Sequence, residues 1–83
     1  MTNSNKRALV TGASKGVGRG IALGLAAAGW DVGVNYHRDQ ESAETCGALI
    51  QEKGQQSWVL QADVGDAEQV QEMFEQLLRQ AGG

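Results

Sequence analysis

The chain has 83 residues, a formal net charge of −3 and 41% hydrophobic residues, which is the composition of one small soluble globular domain. Its seven lysines and arginines form no basic run, so neither a nucleic-acid-binding face nor a nucleic-acid partner is expected. One cysteine and one histidine exclude an internal disulfide and a zinc-type metal cluster.

Three short apolar runs have the lengths and residue types of β-strands. Residues 6–11 (K-R-A-L-V-T) form a β-branched-rich run that stops at Gly12, and the sequence predicts a buried strand there. Residues 30–36 (W-D-V-G-V-N-Y) alternate and are β-prone. Residues 56–62 (Q-S-W-V-L-Q-A) form the third predicted strand and end at Asp63.

Three helical patterns lie between and after these strands, over residues 17–28, 39–53 and from Asp66 onward. Asp66 and Gln69 resemble a capping box, and Gly29, Gly54 and the pair Gly82-Gly83 stand where helices end. The helical stripes are, in order, Val17, Ile21, Leu25 and Ala28; Ala43, Cys46, Leu49 and Ile50, with Lys53 on or beside the same face; and Val70, Met73, Phe74, Leu77, Leu78 and Ala81, which are expected to be buried.

The resulting order βαβαβα predicts a parallel sheet covered by helices, that is, an α/β fold. Right-handed crossovers taken twice in one direction give the strand order 3-2-1 and place the first two helices on one face. We therefore expect the N-terminal half of a doubly wound, three-layer Rossmann fold, with the third helix on the opposite face.

A glycine-rich segment, T-G-A-S-K-G-V-G at residues 11–18, connects the first strand to the first helix. Such a segment can hold a diphosphate against the amides of a helix N-terminus. Gly12 would form the turn, Gly16 would allow close approach, Gly18 would let the helix pack on the strand, and Ser14 could bond phosphate or the turn backbone. The spacing fits neither the Walker A pattern nor G-x-G-x-x-G.

This segment resembles the glycine motif of the short-chain dehydrogenase/reductase family. The following I-A-L-G-L-A-A-A-G-W, the V-N-Y at residues 34–36 and the A-D-V at residues 62–64 resemble it too, most closely the 3-oxoacyl-[acyl-carrier-protein] reductases. The resemblance covers the whole chain but only about the first third of a family member. It implies that residues 1–83 are a partial NAD(P)-binding Rossmann domain that stops before the fourth strand, which leaves one edge of the first strand unpaired.

The resemblance also implies a preference for NADP (NADPH) over NAD. Members that use NAD place an acid at the end of the second strand, where this chain has Tyr36. Lys15, with Arg38 and His37, would instead hold the 2′-phosphate. Asp63 and Val64 would contact adenine, and Val17 belongs to the diphosphate loop. The alternatives are that the cations are ordinary solvated loop residues and that Asp63 serves only the start of the last helix.

The implied function is reduction of a carbonyl, such as that of a 3-oxoacyl thioester. The family's catalytic Y-x-x-x-K motif is absent, because Tyr36 is the only tyrosine and Gln40 stands four residues later. The chain is therefore expected to hold the cofactor without catalytic residues or a metal, and the parent protein to be cytoplasmic, unattached to a membrane and tetrameric. One alternative is a non-catalytic dinucleotide-binding or interaction module; a purely structural domain would leave the glycine segment unexplained.

Overall fold

The computed structural model describes residues 6–81, which form three strands and three helices in alternation. In chain order these are β1 (Lys6–Val10), α1 (Gly16–Ala27), β2 (Trp30–Tyr36), α2 (Gln40–Glu52), β3 (Ser57–Gln61) and α3 (Ala67–Ala81). The polar segment at residues 1–5 and the helix end predicted at Gly82-Gly83 lie outside the described residues. The first and third strands are shorter than predicted, because Thr11, Gln56 and Ala62 lie in the flanking connections.

The sheet is parallel, and β2 lies between β1 and β3. The register pairs Val10 with Val34 and Val34 with Val59, so the three strands end along one edge. This confirms the predicted 3-2-1 order. Within residues 6–81, β1 pairs only with β2, and Ala8, Leu9 and Val10 are half-buried rather than buried.

One face of the sheet is covered by α1 and α2, as the two successive crossovers predict. The stripe predicted for α2 is confirmed at Ala43, Cys46 and Ile50, each fully buried, whereas Lys53 is exposed at the helix end. Burial raises the pKa of the Cys46 thiol, so the thiol is a core group and not an activated nucleophile.

The stripe predicted for α1 is wrong except at Leu25, which is half-buried and packs against the core. Val17 is 81% exposed, Ile21 is exposed as well, and Ala22 and Ala26 are the residues that α1 buries. The physical reason is the close approach of α1 to the β1–α1 turn: a Cβ atom at Gly18 would overlap the carbonyl oxygen of Gly12. A helix that lies this close presents its smallest residues to the core, with Leu23 and Leu25 packed beside them, and Val17 and Ile21 face outward.

The opposite face is covered by α3. Its core consists of Trp58, Leu60, Ala62 and Met73, with Leu9, Val70, Leu77 and Ala81 packed against them. The predicted stripe is therefore confirmed for four of its residues, but Phe74 and Leu78 are 47% and 56% exposed. These two residues lie at the margin of a stripe that is wider than the contact between α3 and the sheet.

Candidate functional site

Three loops meet at the edge where the parallel strands end. They are the glycine turn after β1, the segment of His37 and Arg38 after β2, and the segment of Asp63 and Val64 after β3. Backbone hydrogen bonds join them: the amide of Ala13 donates to the carbonyl of Asn35 at 3.0 Å, and the amide of Ala62 donates to that of Tyr36 at 2.9 Å. Ligands of open α/β sheets bind at this edge.

The glycine turn depends on backbone conformations that favour glycine. Gly12 and Gly16 have φ values of +62° and +65°, and each faces open space where a side chain would begin. Gly18 differs, because its missing side chain makes room for the Gly12 carbonyl rather than for a ligand. The three glycines thus shape the turn, Gly12 and Gly16 through positive φ and Gly18 through close contact with Gly12.

The start of α1 offers backbone donors beside this open space. The first amides of a helix have no carbonyl one turn earlier to bond, and here the amide of Arg19 is the first to find one, at Lys15. The amides of residues 16–18 thus face the side on which an anion is favoured. Ser14, 9% exposed, precedes them, and its carbonyl accepts a hydrogen bond from the Arg19 side chain at 2.9 Å.

Lys15 occupies the position before α1 without a capping hydrogen bond from its side chain, and it lies next to a carboxylate. Its side chain is 74% exposed, and its Nζ atom is 3.7 Å from Oδ2 of Asp39. Asp39 in turn begins α2, where it accepts hydrogen bonds from the amide and hydroxyl of Ser42 at 3.0 and 2.8 Å. These bonds, with a smaller effect of Lys15, hold the pKa of the Asp39 carboxyl below its ordinary value. The cation at Lys15 therefore already has an anionic neighbour.

The residues after β2 are more exposed than those inside it. Tyr36 is half-buried, His37 and Arg38 are exposed, and no carboxylate occupies the end of the strand. Nε2 of His37 lies 3.9 Å from Oδ2 of Asp63, and the Gln61 side chain donates to the His37 carbonyl at 3.0 Å. These contacts bring together the segments after β2 and β3, as the parallel order predicts.

Asp63 has a structural role as well as an exposed carboxylate oxygen. Its Oδ1 atom accepts from the Gly65 amide at 2.9 Å, and Val64 beside it is 54% exposed. Asp66 caps α3 by accepting from the amides of Glu68 and Gln69. The capping box is incomplete, because the Gln69 side chain reaches back to the amide of Asp63 rather than to that of Asp66.

Sequence reasoning missed two residues that shape this edge. Asn35, buried at the end of β2, accepts a hydrogen bond from the Gly12 amide at 3.1 Å. Arg19 donates to the carbonyls of both Ser14 and Ser42, which ties the glycine turn to α2. A polar residue within an apolar strand was the available signal for Asn35; Arg19 gave none, because both partners are carbonyls.

A cavity of about 660 Å³ lies beside this edge, between β3 and α3, and shares Tyr36 with the site. It is lined mainly by polar groups such as Gln61, Gln69 and Glu72, and it contains no residue of the glycine turn. Among residues 6–81 no cluster of histidine, cysteine or acidic side chains could hold a metal ion. No helix in that range is long and apolar enough to cross a membrane.

Comparison with known proteins agrees with this geometry. The family model described as short chain dehydrogenase matches residues 6–83. The chain belongs to this family. Its members are oxidoreductases that use nicotinamide dinucleotides, so a dinucleotide is the ligand to test against the turn. The donors at residues 16–18 have the chemistry that an anionic diphosphate requires.

Three similar proteins show how much of the chain, and how much of each relative, is matched. The 3-oxoacyl-[acyl-carrier-protein] reductase FabG of Staphylococcus epidermidis is 46% identical over 78 residues, which are 94% of this chain and 32% of that protein. The short-chain dehydrogenase/reductase homolog YusS of Bacillus subtilis is 41% identical over 94% of this chain and 72% of its own length. A Burkholderia cenocepacia protein described as a dehydrogenase, with bound NADP, superposes with a TM-score of 0.89 and 29% identity, over 95% of this chain and 31% of that one. The chain thus spans about a third of the length of the FabG relatives that it matches.

Proposed function

We propose that residues 1–83 are the cofactor-binding part of an NADP(H)-dependent short-chain dehydrogenase/reductase that reduces a carbonyl. The observation that carries the proposal is the charge distribution at the strand ends: Lys15 is exposed beside the glycine turn, Arg38 is exposed after β2, and Tyr36 occupies the position where an acid would select NAD. The bound NADP of the B. cenocepacia neighbour supports the same choice.

The diphosphate would lie at the start of α1. The amides of residues 16–18 would donate to its oxygens, Ser14 would offer a hydroxyl, and Gly12 and Gly16 would leave the space open. Val17, which is almost fully exposed there, would lie against the cofactor. Helix dipole and backbone donors together favour an anion at this position without requiring a buried cation.

The adenosine half would lie over the ends of β2 and β3. Lys15 and Arg38, with His37, would hold the 2′-phosphate. Asp63 would accept a hydrogen bond from the adenine amino group through the carboxylate oxygen that faces His37, and Val64 would pack against the ring. Tyr36, at the end of β2, would lie between the residues that hold the 2′-phosphate and those that contact adenine.

The substrate class follows from the relatives. The FabG reductases are named for 3-oxoacyl-[acyl-carrier-protein], so a 3-oxoacyl thioester is the proposed substrate. When bound, NADPH supplies the hydride that the carbonyl carbon accepts. The residues of this chain bind and orient the cofactor, and the proton donor would come from a part of the protein beyond these residues.

A second candidate is a dinucleotide-binding module without catalysis. It is favoured by the match to YusS, because the matched residues make up 72% of that relative and leave little further chain in it. An assay of NADPH oxidation with a 3-oxoacyl thioester distinguishes the two: the full-length protein that carries this chain turns over in the first case, and in the second it binds NADPH without oxidising it.

Cofactor selectivity tests the proposed role of the cations. In the full-length protein, the double variant Lys15→Ala/Arg38→Ala should lower the ratio of NADP to NAD affinity by roughly 10- to 100-fold, because two charge-assisted contacts to the 2′-phosphate are lost while NAD has no such group. Titration of each cofactor, followed by fluorescence, measures both constants.

The matched control is Lys53→Ala/Arg79→Ala, which removes the same charge at the C-terminal ends of α2 and α3. It should leave the ratio unchanged. An equal fall in both double variants would mean that only net charge matters, and an unchanged ratio in Lys15→Ala/Arg38→Ala would contradict the proposed NADP preference.

A further inference from the structure

Asn35 is a buried polar residue in an otherwise apolar layer. It is the sixth of the seven residues of β2 and is 2% exposed. Its side chain points toward α3, where Nδ2 lies 3.3 Å from Sδ of Met73. A buried amide that lacked partners would be costly in this position, so its hydrogen bonds define what it does.

The two ends of the Asn35 amide have different partners. Oδ1 accepts the hydrogen bond from the Gly12 amide at 3.1 Å, in the first part of the glycine turn. Nδ2 faces carbonyl oxygens, with Ala62 at 3.2 Å and Leu60 at 3.4 Å. This arrangement requires an acceptor on one side and a donor on the other, which neither an ionised aspartate nor a leucine supplies.

The main chain of Asn35 holds the same turn. Its carbonyl accepts from the Ala13 amide at 3.0 Å, so two consecutive amides of the turn are bonded to this residue. Those two amides are therefore unavailable to a ligand, and the donors left for an anion include the amides of residues 16–18 at the start of α1. The Ala62 bond connects this arrangement to the start of the Asp63 segment.

We infer that Asn35 is a positioning residue for the cofactor: it fixes the glycine turn so that the α1 amides, and not those of Gly12 and Ala13, meet the diphosphate. This inference rests on the proposed function, because it assumes that a dinucleotide binds at the turn. Asn35 itself touches no reacting group and acts through Gly12.

Asn35→Leu in the full-length protein tests the inference, because it removes the acceptor for Gly12 and keeps the branched shape of the side chain. The matched control is Asp31→Leu at the other end of β2, where Asp31 is 6% exposed and accepts from the Gln56 amide at 2.9 Å. The readouts are the unfolding midpoint and the affinities for NADP and for adenosine 2′-monophosphate, which has the adenine and 2′-phosphate but no diphosphate.

We expect Asn35→Leu to weaken NADP binding by roughly tenfold, because the turn amides lose their fixed acceptor, and to change the affinity for adenosine 2′-monophosphate by less than about twofold. Asp31→Leu should lower the unfolding midpoint without this selective loss. Equal losses for both ligands, or the same loss of NADP affinity in both variants, would overturn the inference by showing a purely structural role.

Amide hydrogen exchange of the wild-type protein gives a second test that needs no variant. The amides of Gly12 and Ala13 should be protected before NADP is added, and those of residues 16–18 should become protected only with NADP. A Gly12 amide that exchanges freely until NADP is present would overturn the inference. A wild type that binds no dinucleotide would contradict the proposed function, while protection at Gly12 would still report whether Asn35 holds the turn.

Discussion

The two faces of the sheet are closed in opposite ways. On the side of α1 and α2, small residues bring the helix close: Ala22 and Ala26 are buried, and Gly18 leaves no room for a side chain. On the side of α3, large residues fill the space, and Met73 is the one α3 residue that is buried. The contact of α1 with the glycine turn is thus fixed by close steric fit, whereas the position of α3 depends on the burial of individual side chains.

Gly18→Ala should give the largest effect. The added Cβ atom would overlap the carbonyl oxygen of Gly12, a backbone group that cannot move without displacing the turn. We expect a loss of roughly 3 kcal/mol in the free energy of unfolding, as for other overpacked sites, together with loss of dinucleotide binding. Urea denaturation and cofactor titration measure the two effects.

The control for this change is Gly20→Ala, two residues further along α1. A Cβ atom there has nothing within 4 Å, and alanine favours a helix over glycine by about 0.5–1 kcal/mol. The control should therefore be neutral or stabilising. If Gly18→Ala behaved like Gly20→Ala, α1 would not be in close contact with the turn.

Substitutions in α3 test the other half of the comparison. Met73→Ala should cost about 3 kcal/mol, because Met73 is 2% exposed and the cavity left behind would be enclosed. Phe74→Ala, one residue later, should cost about 1 kcal/mol or less, because its ring is only half-buried. Differential scanning calorimetry of both variants measures these losses of stability. Equal losses would mean that the Phe74 ring is buried in the protein measured.

Hydrophobic periodicity was enough to predict the elements and their order but not the buried face of α1. The apolar pattern selects Val17 and Ile21, yet the helix buries Ala22 and Ala26. The cause is the contact between Gly18 and Gly12 across the turn, which requires small residues. A pattern based on hydrophobicity does not detect such a contact. In α2 the close approach at Gly47 is to the side chains of Ser57 and Val59 and not to backbone, and Cys46 and Ile50 were predicted correctly.

Part of the proposed site could likewise be predicted from the sequence, and part could not. The loops after the three strands could be placed together from the sequence, because parallel strands end at a common edge. The hydrogen bond between Asn35 and Gly12 joins residues 23 positions apart, and its existence depends on strand register and on the amide orientation. The Lys15–Asp39 pair was missed for a related reason: the sequence places Asp39 at the start of a helical pattern, but this position alone does not reveal that Asp39 lies beside Lys15.

Asp39→Ser should have the smallest effect and probes charge rather than packing. Asp39 lies 3.7 Å from Lys15, so its carboxylate competes with a 2′-phosphate for that cation. Serine also caps helices, so the start of α2 should be retained. Because the pair is exposed, we expect NADP to bind roughly two- to threefold more tightly with NAD unchanged, as measured by titration at neutral pH.

The pH dependence of this prediction follows from the hydrogen bonds of Ser42, which lower the pKa of the Asp39 carboxyl. Because the pKa is lower in the folded state, the stabilisation from the charged cap is complete above the ordinary aspartate pKa and is lost as the pH falls through the lowered value. At neutral pH the carboxylate is therefore fully charged in the wild type, and the gain in NADP affinity should be present. A gain of the same size for NAD would show that the substitution acts through the α2 start and not through competition for Lys15.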